Sequence, residues 1–141
     1  MNLKKTIMLT ITEYCNLNCI YCYEKNKTLR TMPLETAIKI LNRELTIDDE
    51  YNDCEIQFFG GEPFAEFDLL RSICNYLWSK NWPKEYQCFA TTNGTLVHGE
   101  IKEWLFQNRN RFTCSLSLDG NKSAHDINRC NSFDLIDYKF F

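Results

Sequence analysis

A chain of 141 residues has the size of one domain and is long enough to bury a real core. Its 44% hydrophobic and 25% charged residues, with a net charge of −3, exclude a strongly basic nucleic-acid binder and give no attraction to an anionic membrane surface. No run is apolar enough to span a bilayer, and the opening "MNLKKTIMLTITEYC" is too short and too broken by threonine for a signal peptide, so the cytoplasm is the expected compartment.

In chain order, "TIMLTIT" (6–12) reads as a strand that runs straight into a cysteine loop. "PLETAIKILNREL" places Leu34, Ala37, Ile38, Leu41 and Leu45 on one helical stripe, with Pro33 in the first turn. "CEIQFF" is a short buried strand, and "AEFDLLRSICNYLW" is a helix that turns Phe67, Leu70, Ile73, Cys74 and Leu77 inward. "YQCFATT", "GEIKEWLFQN" and "FTCSLSL" continue as strand, helix and strand. The tail "SFDLIDYKFF" is expected to open a fourth helix capped by Ser132. Strands separated by helices of this length pair in parallel through right-handed crossovers, so the expected class is α/β. The loops that follow the strands, "CNLNCIYCY", "GGEP", "TNG" and "DG", then emerge at one edge of the sheet and converge on one site.

Eight cysteines are many for this length, and a reducing compartment favours free thiols or metal ligands over disulfides. Cys74, Cys88 and Cys114 lie in apolar segments and read as core residues. Cys15, Cys19 and Cys22 fall within eight residues. A structural zinc site wants a fourth Cys or His, and the only histidines, His98 and His125, form no second ligand pair. Three thiolates suit a [4Fe–4S] cube with one iron left open, although zinc remains the alternative on these residues alone. Gly60 and Gly61 permit positive φ and close backbone approach, in a tight turn or against a ligand. Ser115, Ser117 and Asp119 alternate and so share one face.

The C-x3-C-x-aromatic-C pattern of Cys15, Cys19, Tyr21 and Cys22, followed in order by "FFGGEPF", "TTNGTL" and "SLDGNKSAHDINR", resembles the radical S-adenosylmethionine (SAM) enzymes over nearly the whole chain. The likeness is to the peptide-modifying branch typified by anaerobic sulfatase maturases, whose members usually add a cysteine-rich SPASM domain. The resemblance implies a [4Fe–4S] cluster on Cys15, Cys19 and Cys22. SAM would chelate the open iron and be cleaved reductively to a 5′-deoxyadenosyl radical that abstracts a hydrogen atom. It implies further that Tyr21 lies against the adenine, and that Gly60, Gly61 and Glu62 accept hydrogen bonds from the amino group of SAM. Asn93 would lie beside the cofactor, Ser117 would meet its ribose or carboxylate, and Arg129 would grip the carboxylate. His125 and Asp126 resemble helix-entry residues, and no residue is assigned to catalysis.

The implied partners are a peptide or protein substrate and an electron donor such as a flavodoxin or ferredoxin, with no nucleic acid and no membrane. The family barrel usually has about six β/α units, whereas this sequence offers about four and no SPASM-like cysteine run. The expectation is a partial (β/α) barrel of the radical SAM type. Residues 1–141 would form the N-terminal, cluster- and SAM-binding portion of a radical SAM core. A non-catalytic cluster- or SAM-binding remnant and a zinc-stabilised structural domain are the alternative readings.

Overall fold

The computed structural model describes residues 3–141. Four strands, β1 (Leu3–Thr12), β2 (Tyr51–Gly60), β3 (Glu85–Thr92) and β4 (Phe112–Leu116), form one all-parallel sheet in the order β1-β2-β3-β4. Between them run α1 (Leu34–Thr46), α2 (Phe67–Trp78) and α3 (Gly99–Gln107), and α4 (Lys122–Asn128) follows β4. Strand order that never reverses is the order of a barrel wall, because repeated right-handed crossovers put every helix on the same face.

That face holds the core. Ile7, Leu9 and Ile11 of β1, Ile56 and Phe58 of β2, and Ala90 of β3 pack on Leu41 and Leu45 of α1 and on Leu70, Ile73 and Leu77 of α2. Trp104 of α3 closes one end, edge-on to Phe67 and Phe112 at 5.6 and 5.1 Å between ring centroids. The alternating residues point the other way and stay open: Met8, between buried Ile7 and Leu9, is 54% exposed. Register places Met8, Gln57, Phe89 and Thr113 in one row across this second face. Threonine, glutamine and isolated apolar side chains there make it a barrel lumen rather than a second core. Cys74 and Cys88 are buried, as their apolar segments lead one to expect, and so is Cys54; Cys114 is half-buried.

The tail does not form the expected fourth helix. That helix lies earlier, at Lys122–Asn128, where Asn121 Oδ1 accepts the Ala124 N–H at 3.0 Å. Just past its end, Cys130 and Asn131 are both left-handed (φ 59° and 55°), and the Asn131 N–H returns to the Asp126 carbonyl at 2.9 Å. Ser132 caps nothing. It is fully buried, its hydroxyl 3.0 Å from His125 Nε2, and the next amide, Phe133 N–H, donates to Asp126 Oδ1 at 2.9 Å. These bonds fold the tail back on α4, leaving only a 3-10 turn at Phe133–Leu135.

Below the sheet, the Asp49 carboxylate joins three segments by pairing with Lys5 of β1 at 2.9 Å and with buried Lys84 ahead of β3. Bonds from Lys84 and Lys5 hold its carboxyl well below the usual carboxylate range. A folded-state pKa below the unfolded value contributes stability that is present at neutral pH and lost as pH falls. Asp49→Asn should therefore lower the urea midpoint at pH 7. The gap from the parent chain should narrow as pH drops below about 4.

Candidate active site

The loops after the four strands meet around a cavity of about 240 Å³. Cys15, Cys19 and Cys22 all line it and are all free and half-buried. Burial pushes the Cys15 thiol up, against the Leu17 N–H that reaches its Sγ at 3.4 Å and the charge of Lys27. Burial also raises Cys19, against the Arg129 charge. Both shifts come from burial, which disfavours the charged thiolate. Among the described residues, no three His, Cys, Asp or Glu side chains converge on a single ion. The three sulfurs ring the cavity instead.

The "GGEP" turn is built against the cysteine loop. Gly61 N–H donates to the Thr12 carbonyl at 3.0 Å and Glu62 N–H to the Tyr14 carbonyl at 2.8 Å. A Cβ on Gly61 would lie 2.2 Å from Tyr14 O and 2.8 Å from Cys15 N, and one on Gly60, at φ +153°, would lie 2.2 Å from Thr12 O. The close approach expected between these glycines and a ligand is thus first an approach to the chain itself, at the residue that carries the first thiol.

Glu62 is 1% exposed. Its carboxylate accepts from Phe64 N–H (3.2 Å), Thr92 Oγ1–H (2.7 Å) and Asn93 N–H (2.8 Å). Desolvation raises its pKa, and those three donors work against the rise. Most of its lone pairs are therefore committed to knitting loop two to loop three. Asn93 ties loop three to loop one: its Nδ2–H donates to Asn16 Oδ1 at 2.9 Å, and its Oδ1 accepts from the Thr95 hydroxyl at 2.8 Å. Asn16 in turn donates to Thr95 Oγ1 at 2.8 Å. The same Asn93 amide lies 3.8 Å from Cys15 Sγ. Ser117 lines the cavity just beyond β4, its backbone N–H still paired with Thr92 O at 2.8 Å.

On the far side, α4 holds the loop: Ile20 N–H donates to Asn128 O at 3.0 Å and Asn18 N–H to Cys130 Sγ at 3.3 Å. Tyr21 donates its hydroxyl to Asp119 Oδ2 at 2.7 Å, and the Arg129 guanidinium lies over its ring at 5.3 Å. Arg129 Nε sits 3.1 Å from Asp119 Oδ1, an ion pair with its N–H off the hydrogen-bond axis. Desolvation and the bond to Asp119 push the Tyr21 phenol up to about 12. Although partly desolvated, Asp119 is held below the usual carboxylate range by Tyr21 and Arg129.

The residues that the resemblance assigns to cluster or SAM all line this one cavity: Cys15, Cys19, Tyr21, Cys22, Gly60, Gly61, Glu62, Asn93, Ser117 and Arg129; Ser115, Asp119, His125 and Asp126 do not. Sequence reasoning missed Asp119 as the link between Tyr21 and Arg129, although its alternation with Ser117 carried a signal. It also missed Asn16 and Lys27. Asn16 sits inside the cysteine motif, whereas Lys27, whose Nζ–H reaches Leu17 O at 2.5 Å, lies in a polar stretch with no pattern to mark it. Asp119→Asn should weaken binding of SAM about five- to tenfold, since it releases two side chains that face the cavity. Iron content should stay unchanged, because the bonds from Ile20 N–H to Asn128 O and from Asn18 N–H to Cys130 Sγ still hold the loop. Anaerobic calorimetry beside an iron assay checks both.

The wider cavity of the molecule, about 580 Å³, lies at the other end of the sheet, away from every thiol of the loop.

Comparison with known proteins agrees with this geometry. Residues 9–132 match the family model of the radical SAM superfamily. An uncharacterised protein of Methanocaldococcus jannaschii is 38% identical over 99 residues, covering 70% of this chain and 34% of that protein. A cysteine-type anaerobic sulfatase-maturating enzyme of Clostridium novyi is 30% identical over 129 residues, covering 84% of this chain and 33% of that enzyme. Among solved structures, anSMEcpe with bound AdoMet and Kp18Cys peptide superposes with a TM-score of 0.79 at 25% identity, over 94% of this chain and 38% of that one. The chain thus spans about a third of the length of these relatives. With a family match over residues 9–132 and four parallel strands in barrel order, the chain belongs to the radical SAM superfamily.

Proposed function

We propose that residues 1–141 are the N-terminal, cofactor-binding portion of a radical SAM core, with Cys15, Cys19 and Cys22 holding a [4Fe–4S] cluster and the adjoining loops holding SAM. The observation that carries this reading is the meeting of three free thiols, the "GGEP" turn and Ser117 on one cavity. The donor set fits the cluster: three sulfurs at half-buried positions, ringed rather than converged, with no fourth protein ligand in the loop. When bound, the cluster supplies the electron that cleaves the sulfonium of SAM to a radical able to abstract hydrogen.

The chain's own residues bind, orient and shield. Gly60 and Gly61 let β2 press on the cysteine loop and so fix Cys15. Glu62 sets its carboxyl group, held by Thr92 and Asn93, on the side of the cavity where the ammonium of SAM would lie. Ser117 and Arg129 offer a hydroxyl and guanidinium nitrogens to its carboxylate or ribose, and Tyr21, steadied by Asp119, gives a flat wall for the adenine. The open lumen face, with Met8, Phe59 and Phe89 among threonines and glutamines, leads toward the cavity and suits an extended peptide. A peptide or protein substrate is the reading favoured by the sulfatase-maturating relative and by the peptide in the anSMEcpe complex. A flavodoxin- or ferredoxin-type donor would deliver the electron.

The test is formation of 5′-deoxyadenosine by anaerobically reconstituted protein supplied with dithionite and SAM. Release above the rate of a Cys15→Ala control is the expected result. SAM binding without any cleavage would instead leave a binding remnant.

A further inference from the structure

At the N-terminal ends of β3 and β4, opposite the cysteine loop, lies an open groove of about 580 Å³. Its walls are aromatic and fixed. Trp82 Nε1–H and the Tyr86 hydroxyl both donate to the Leu77 carbonyl, at 2.9 and 3.0 Å, which pins the two rings. Trp78, at the end of α2, forms a third wall.

Two cations are set against these rings, each with a donor to spare. The Arg111 guanidinium lies 3.7 Å from the centre of the Trp78 ring. Its Nε and Nη2 both donate to Asn108 Oδ1, at 3.0 and 2.8 Å, while Nη1 makes no hydrogen bond among the described residues. Lys80 Nζ lies over Trp82 and Tyr76 at 4.3 and 4.5 Å. It donates to Asn42 Oδ1 and the Tyr76 oxygen, at 3.0 and 2.6 Å, which leaves one N–H. Cations already held by rings and side chains lose little further freedom when an anion arrives. The third cation, Lys84, is spent on Asp49, and Glu85 lies on the rim. That balance suits a single oxyanion better than a polyphosphate, on a molecule whose net charge is −3.

We propose that this groove is a binding site for a small organic anion that carries a planar ring and one phosphate. The ring would lie against Trp82 and Tyr86, and the phosphate would take the free donors of Lys80 and Arg111. The volume falls within the range of small-molecule pockets, about 300–1,000 Å³. A nucleoside monophosphate is the simplest ligand of that chemistry. The proposal does not rest on the assignment of the cysteine cavity.

Tryptophan fluorescence reads this groove selectively. Of Trp78, Trp82 and Trp104, two line it and none lines the cysteine cavity. Titration of the purified chain with AMP should quench the emission saturably. Adenosine, which lacks the anion, and inorganic phosphate, which lacks the ring, should each bind at least about tenfold more weakly. Lys80→Gln, at an exposed side chain remote from the core, and Arg111→Gln should each weaken AMP about five- to tenfold. Excess S-adenosylhomocysteine, aimed at the other cavity, should leave the AMP curve unmoved. Absence of saturable quenching by AMP overturns the proposal. So does phosphate binding as tightly as AMP, displacement by S-adenosylhomocysteine, or an unchanged affinity in both variants.

Discussion

Gly61→Ala will disrupt the cysteine loop itself, lowering iron content and SAM affinity together. The added Cβ would stand 2.2 Å from Tyr14 O and 2.8 Å from Cys15 N, and both are backbone atoms that no rotamer change can move aside. β2 and the cysteine loop must part, breaking the bonds from Gly61 N–H to Thr12 O and from Glu62 N–H to Tyr14 O. The loss should be about 2–4 kcal/mol of folding stability, the scale of overpacking plus broken buried hydrogen bonds. Gly99→Ala is the control. Its φ is positive, +48°, where that of Gly61 is not, yet its Cβ would meet nothing within 4 Å, so it should cost only about 1 kcal/mol of backbone strain. Urea unfolding of both variants, with iron counted per chain after reconstitution, separates the two. A Gly61→Ala chain with full iron and only SAM affinity reduced would mean that the glycine serves the ligand and not the loop.

Replacement of Cys15, Cys19 or Cys22 by Ala will abolish iron binding, whereas Cys74→Ala will not. The three loop thiols ring one cavity, and each supplies a third of the proposed ligand set. Cys74 lies buried between α2 and the sheet, packed in the core and away from the cavity that the loop thiols line. Its loss should show instead as a modest fall in stability, about 1 kcal/mol for a small buried side chain. Cys130 supplies an internal comparison, since its Sγ accepts the Asn18 N–H beside Cys19 without lining the cavity. Cys130→Ala should retain iron. Iron and sulfide assays on the five variants decide the ligand set.

The sheet and the first three helices were legible because their apolar residues repeat cleanly. Ile7, Leu9 and Ile11 alternate along β1, and Leu70, Ile73, Cys74 and Leu77 recur on α2, so local spacing alone reports which face is buried. β1 and β2 begin three residues ahead of their apolar runs, at Leu3 and Tyr51, because backbone pairing continues through residues whose side chains carry no pattern. The fourth helix was misplaced for a related reason. Lys122–Asn128 is short and mostly polar, buries only His125, and owes its start to the Asn121 cap. The tail is more apolar, but its Ser132 and Phe133 are tied back to His125 and Asp126, contacts that no periodicity announces.

At the site, residue types foretold which side chains would gather but not what they would touch. Glu62 reads as an acceptor for a ligand and is largely satisfied by Thr92 and Asn93. Gly61 reads as a ligand's neighbour and is first the neighbour of Tyr14. Distances between loops belong to the folded chain, and Asp119 acquires its role only when Tyr21 and Arg129 arrive from other segments.

Three thiolates holding a [4Fe–4S] cluster whose open position meets SAM would give a paramagnetic signal that responds to SAM. Electron paramagnetic resonance of the anaerobically reconstituted, reduced chain tests that arrangement most directly, recorded before and after addition of SAM. About four irons per chain and a [4Fe–4S]+ signal whose shape changes when SAM is added are expected. A tightly held zinc ion with no such signal, or a cluster signal indifferent to SAM, would contradict the arrangement.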